Sequence, residues 1–150
     1  MNIIPMKRLR FLLLAPLLLP GLFLCTAQTS KPMPLEQTLR EYRWKKRVLL
    51  LAAPTAEQTD FKTQKALLNA EKAGMVARDF VVLEVFYDQL SATDQQFLAK
   101  KIRISPRQFA AVLIGKDGGV KERSSRPVLP AGLFGTVDKM PMRREEMRKK

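Results

Sequence analysis

The chain of 150 residues carries 27 lysines and arginines against 14 aspartates and glutamates, with no histidine and a single cysteine. Without histidine no Ser-His-Asp or Cys-His relay can be assembled, so any general base must be Asp, Glu, Lys or Tyr, and one cysteine allows neither a disulfide framework nor a Cys/His zinc site. The formal net charge of +13 favours anionic partners, such as polysaccharide, phospholipid headgroups or nucleic acid, although solubility alone also accounts for it.

The N-terminal stretch is a targeting signal by its pattern. Lys7, Arg8 and Arg10 precede Phe11–Leu24, an apolar run broken by Pro16, Pro20 and Gly21. The run is shorter than the roughly 20 apolar residues of a membrane span. Cys25 and Ala27 place small residues at the −3 and −1 positions of a cleavage site. This predicts a signal peptide over residues 1–27 and export to the periplasm or the exterior, with no thiol left in the mature chain. An uncleaved anchor helix and a lipoprotein tethered through Cys25 are the alternatives; Leu24 argues against the second.

Residues 28–34 (QTSKPMP) read as a flexible leader, 35–142 as one domain and 143–150 as a basic tail. Leu35, Leu39 and Tyr42 recur at helical spacing. The cationic run Arg43–Arg47 encloses Trp44, which either packs at the start of a sheet or stacks on a ligand. Val48–Ala53 is apolar at every position, the signature of a strand covered on both faces. Thr55 with Gln58 resembles a capping box and predicts a helix from Ala56 to Ala73, closed by Gly74, with Phe61, Leu67 and Leu68 toward the sheet. Phe80–Phe86 reads as a second central strand, parallel to the first. After the turn Tyr87–Leu90, Ser91 and Asp94 cap a helix reaching about Lys101, with Phe97, Leu98 and Ile102 as its apolar contacts. Ser105–Gln108 breaks the chain before a third strand, Phe109–Ile114. Lys116-Asp117-Gly118-Gly119 is a hairpin turn, and Val120–Ser124 is polar enough for an edge strand. Pro130 suits the first turn of a last helix with Leu133, Phe134, Val137 and Met140 inward. Pro141 is expected to stop it.

Open α/β sheets bind ligands at the carboxyl ends of their strands. That rule gathers Pro54, Thr55, Tyr87, Asp88 and Pro106 as a candidate polar pocket, with Thr55, Tyr87, Asp88 and Pro106 as ligand-binding candidates. Glu84, charged within an apolar strand, either reaches water or is buried with a raised pKa and marks a site. Arg43, Lys45, Lys46 and Arg47, together with Arg143 and Arg144, form the candidate basic patch. Brought together in space, the two clusters would serve an anionic polymer, diluted by Glu145 and Glu146.

The element order, a helix followed by β-α-β-α-β-β-α, resembles thioredoxin. Ile102–Val120 (IRISPRQFAAVLIGKDGGV) is similar to the second half of that fold, with Pro106 matching the proline that the family holds cis beside its active site. The segments YRWKKR running into VLLLAAP, then VLIGKDGGVKERSSRPV and DKMPMRR, resemble the domain-of-unknown-function 4174 family. That resemblance implies a thioredoxin-like mixed α/β sheet of about four strands flanked by helices, close to peroxiredoxins in outline. It also implies kinship with secreted matrix proteins, including the C-terminal part of sushi-repeat-containing proteins, and no assigned activity. Pro54–Gln58 (PTAEQ) stands where thioredoxins carry Cys-x-x-Cys. Against the peroxiredoxin pattern Pro-x-x-x-Thr-x-x-Cys, counted from Pro54, Gln58 replaces the threonine and Phe61 the cysteine. The expectation is an exported, non-catalytic module without cofactor or metal, binding an anionic surface or polymer, or a protein at the cell envelope. Two alternatives stay open: an enzyme working through Asp88 or Glu84, and a peroxiredoxin-like oxidoreductase using a retained Cys25.

Overall fold

In a computed structural model of the chain the described residues are 33–149. The segment expected to be a signal peptide (1–27), with Cys25, and most of the expected leader lie outside them.

The apolar run after the cationic segment forms strand β1 (Arg47–Ala53), and every one of its residues is buried. It lies between β2 (Phe80–Phe86), which it pairs with in parallel, and β3 (Ala110–Ile114), which runs antiparallel. β4 (Val120–Ser124) joins β3 antiparallel across the Asp-Gly turn, where Gly118 takes φ +81°, giving the order β2-β1-β3-β4. Because side chains alternate along a strand, β1 feeds two cores. Val48, Leu50 and Ala52 join Leu35 of α1 (Leu35–Tyr42) and Leu98 beyond α4 (Ala92–Phe97). Leu49, Leu51 and Ala53 meet Phe61 and Leu68 of α2 (Thr59–Ala70), Met75 of α3 (Lys72–Ala77), and Leu133 and Val137 of α5 (Pro130–Asp138). Leu49, Leu50 and Leu51 are fully buried, each stabilising the fold by about 1.5–3 kcal/mol.

Several boundaries depart from the sequence reading, each for a local reason. Gln58, not Thr55, caps α2: its side-chain oxygen accepts from the Phe61 N–H at 2.8 Å. The helix therefore starts at Thr59, and it ends at Ala70 rather than Ala73. Gly74 does not close it but sits inside α3, where an added Cβ would lie 2.5 Å from the Phe134 ring. Beside Phe61 and Leu68, the buried residue of α2 is Gln64, which exchanges two hydrogen bonds with the Val128 backbone and anchors the approach to α5. β2, expected to be central, is an edge strand. Ser91 caps α4 as expected, accepting from the Asp94 N–H, and Asp94 in turn accepts from the Leu35 N–H at 2.9 Å, joining α1 to α4. Beyond α4 a π-helical turn, Leu98–Ile102, buries both of its end residues. Pro141 starts rather than ends a helix: α6 (Pro141–Arg148) carries it at the first turn, so most of the expected tail is folded.

Candidate functional site

The carboxyl ends of β1 and β2 finish side by side, with the Tyr87 N–H donating to the Ala53 carbonyl at 3.0 Å and Asp88 to Pro54 at 3.4 Å. This brings Pro54, Thr55, Tyr87 and Asp88 to one end of the sheet. Thr55 and Asp88 are exposed, and neither side chain makes a hydrogen bond among the described residues. Thr55 contributes only its carbonyl, to the Gln58 N–H. Tyr87 turns into the core with Ala52, Val85 and Leu98. Its hydroxyl is buried without a partner among the described residues, and burial raises its pKa. Pro106 lies exposed in the loop before β3, and its peptide bond is trans. Glu84 reaches water on the edge strand and pairs with Lys65 at 3.1 Å. In the first turn of α2, Phe61 is buried edge-on against Phe86, ring centres 5.0 Å apart. An aromatic pair thus fills the space at the first turn of α2.

The opposite end of the sheet carries the polar chemistry. Arg47 opens β1 with its side chain 1% exposed, and its guanidinium forks onto Glu146 of α6 at 3.1 and 3.2 Å and onto the Arg78 carbonyl at 2.9 Å. Lys116, just beyond β3, donates to Glu146 at 2.7 Å and to Asp79 at 2.8 Å. Arg143 reaches Glu146 and Asp138, Arg78 holds Asp138 at 2.7 Å, and Lys46 lies 3.7 Å from Asp79. Five cations thus share three carboxylates. Arg47 and Arg143, expected in an exposed basic patch, are buried and neutralised instead, because a guanidinium leaves water only with a carboxylate to match it. The two cationic segments do meet, but through acids. Arg43, Lys45, Lys46 and Arg144 stay exposed.

The network holds its members charged. Hydrogen bonding from Lys116 lowers the Asp79 pKa, and that from Arg78 lowers Asp138. Burial pushes Glu146 upward, but the bonds from Lys116 and Arg47 outweigh it and leave the carboxyl below its ordinary value. Burial likewise disfavours the Lys116 ammonium, and Asp79 and Glu146 more than compensate, raising its pKa.

Beside this network is a groove of about 480 Å³ whose lining includes Trp44, Met140, Pro141 and Met142, with Arg47 and Lys116 at its polar side. Trp44 is 61% exposed and sits at φ +65°, a left-handed conformation that costs a bulky residue of order 1–3 kcal/mol. Its N–H donates to the Lys116 carbonyl at 2.6 Å. The Arg43 guanidinium stands 5.4 Å from the indole centre while its Nε holds the Asp117 carbonyl at 2.9 Å. An indole presented to solvent against this strain, flanked by flexible methionines and exposed cations, can take an apolar group attached to negative charge. Of these residues the sequence reading placed Arg43, Lys45, Lys46, Arg47 and Arg143 in a basic patch, gave Trp44 stacking on a ligand as one role, took Glu146 as a local diluting charge and Met140 as an inward helix residue. Arg78, Asp79, Lys116, Asp138 and Met142 were not assigned to a site, since nothing local distinguishes them from turn and helix-surface residues.

These features define a thioredoxin-like domain whose charged network lies at the end of the sheet where β1 starts. The fold is matched by reduced 2-Cys peroxiredoxin of Plasmodium vivax, at a TM-score of 0.50 and 15% identity over 73% of this chain and 84% of that one. The profile of the family described as Domain of unknown function (DUF4174) matches residues 38–146, and the chain belongs to that family. Relatives include coiled-coil domain-containing protein 80 of Danio rerio, 28% identical over 79% of this chain and 16% of that protein. Human sushi repeat-containing protein SRPX is 31% identical over 73% of this chain and 26% of its own length. The chain thus spans about a quarter or less of the curated relatives it matches. No helix among the described residues is long and apolar enough to cross a membrane.

Proposed function

We propose that this protein is an exported, non-catalytic thioredoxin-like binding module, and that its binding surface is the Trp44 groove with the cations beside it. The observation that carries the reading is Trp44 itself, exposed and held in a strained backbone next to an ion network with more cations than acids. Phe61 and Phe86 supply the complementary argument by occupying the thiolate position. The partner is an anionic polymer, or the acidic face of an envelope protein, that offers an apolar group to the indole. Arg43, Lys45, Lys46 and Arg144 attract it, and the groove fixes it.

Binding to a sulfated-polysaccharide resin tests this directly. Electrostatic attraction alone elutes early and identically for every variant of equal charge. A groove contribution makes Trp44→Ala elute at lower salt than the parent, although its charge is unchanged. Equal elution of the two refutes the assignment. Intact mass of exported material beginning at Gln28 supports the export reading, and peroxide or disulfide reduction by that material contradicts the non-catalytic one.

A further inference from the structure

The two edges of the sheet are treated differently. β4, with the sequence VKERS, alternates charged residues outward and carries a register irregularity between Leu113 and Ile114, both of which discourage strand addition. β2 has the sequence FVVLEVF, seven residues with neither proline nor lysine and one charge. Its register with β1 runs unbroken from Arg47–Phe80 to Ala53–Phe86. The bonds that bracket it fix which of its backbone groups face away from β1. The Asp79 carbonyl accepts from the Arg47 N–H, and the Tyr87 N–H donates to the Ala53 carbonyl. Odd-numbered residues therefore point their N–H and C=O groups at β1. The even-numbered Phe80, Val82, Glu84 and Phe86 point theirs outward, and among the described residues the one backbone bond that meets them is the Gln89 N–H donating to the Phe86 carbonyl at 3.0 Å.

We propose that β2 pairs antiparallel with β2 of a second copy, making one continuous sheet across a two-fold axis at Leu83. The strand is its own complement in this register. Phe80 lies opposite Phe86 and Val82 opposite Glu84; the Val82–Glu84 pairs exchange both of their hydrogen bonds, and the Phe86 N–H donates to the Phe80 carbonyl while the Phe86 carbonyl stays in its own turn with Gln89. Leu83 meets its own copy, and Val81 meets Val85, on the face that continues the apolar core of α1 and α4. Sliding the register one way sets Glu84 against Glu84, and sliding it the other way leaves Phe86 beyond the partner strand. Charge favours a second copy as well. Glu84 brings its own counter-ion in Lys65, so the seam is locally neutral although the chain is strongly basic. This inference is independent of the Trp44 groove, which lies at the end of the sheet where β1 starts.

Sedimentation equilibrium of the exported protein tests it, together with hydrogen exchange at the Val82 and Glu84 amides. The expected result is a dimer that dissociates on dilution, with those two amides protected in the dimer and exchanging freely in the monomer. Val82→Glu sets a carboxylate opposite Glu84 of the second copy twice over, whereas Val82→Lys sets a cation there at similar cost to the monomer. Dimerisation of the first variant should be at least about tenfold weaker than that of the second. A monomer at every concentration overturns the proposal, whether its outward amides exchange freely or are covered by another part of the same chain. A dimer equally tolerant of both substitutions overturns it too.

Discussion

Replacing Glu146 by glutamine removes the charge on which Arg47, Lys116 and Arg143 converge, while keeping its shape. These three side chains are 1%, 10% and 9% exposed, and Glu146 itself is 25% exposed. The consequences are unequal. Lys116 keeps Asp79 and Arg143 keeps Asp138, but Arg47 keeps only the Arg78 carbonyl, and its Nε is already buried without a partner. The stranded charge is therefore that of Arg47. Breaking a buried pair from one side costs about 3–5 kcal/mol, and the partial exposure of Glu146 puts this case near the lower end, about 3 kcal/mol. Urea unfolding at pH 7 measures it, and thermal unfolding should show a fall of roughly 10 °C. Removing both partners together, Arg47→Met with Glu146→Leu, should restore all but about 1 kcal/mol, because no buried charge is then left without a partner: Lys116 keeps Asp79 and Arg143 keeps Asp138. Glu145→Gln, on the exposed side of the same helix, should lie within about 0.5 kcal/mol of the parent. The reasoning fails if Glu146→Gln behaves like that control, or if the double variant costs as much as its two single changes added together.

Further outcomes follow from the same structure. Gly74→Ala should destabilise by about 1–3 kcal/mol, because the new methyl meets the Phe134 ring at 2.5 Å, and Phe134→Leu in the same chain should relieve part of the loss in urea unfolding. Trp44→Gly should change the unfolding free energy by less than about 1 kcal/mol, since relief of the left-handed backbone offsets the lost contacts, while retention on the anionic resin falls. Stability should decline in acid. Asp79, Asp138 and Glu146 all have lowered pKa values in the folded state, so their contribution is complete above their unfolded values near 4 and is lost as pH falls through the folded ones. At the alkaline end, Lys116 has a raised pKa, so its contribution holds below 10.5 and is lost as pH rises through the folded value, with buried Tyr87 acting in the same direction above 10.0. Urea midpoints measured across pH check both limbs, and a Glu146→Gln chain with an unchanged acid limb would exclude the network as its source.

What could be read from the sequence was whatever is encoded locally. The run Val48–Ala53 is apolar throughout and is buried throughout, and the Asp-Gly turn and the Ser91 cap fall where their chemistry places them. The failures occurred where two local readings of one residue compete and a distant contact decides. Pro141 can follow one helix or open another, and Arg143 and Glu146 decide by docking α6 on the sheet. Thr55 and Gln58 can each cap, and the position of Phe61 beneath Phe86 selects Gln58. The apolar composition of β2 reads as central, yet strand order depends on pairings that no local pattern carries. Arg47 looks like the last member of a solvated charge run until Glu146, 99 residues away, is seen to meet it.

This last contact also explains why the candidate site could not be found at the strand ends. The groove has one wall from the segment before β1, Trp44, and another from the junction of α5 and α6, Met140 to Met142. These segments are brought together by Arg47, Lys116 and Arg143 converging on Glu146. The buried charges therefore do more than stabilise the domain: they set the separation of the groove walls. The polar chemistry of the domain is concentrated where α6 returns to the start of the sheet. Binding at the groove, as proposed, would consequently be coupled to the docking of α6, and loss of the Arg47–Glu146 pair should open the groove before it unfolds the sheet.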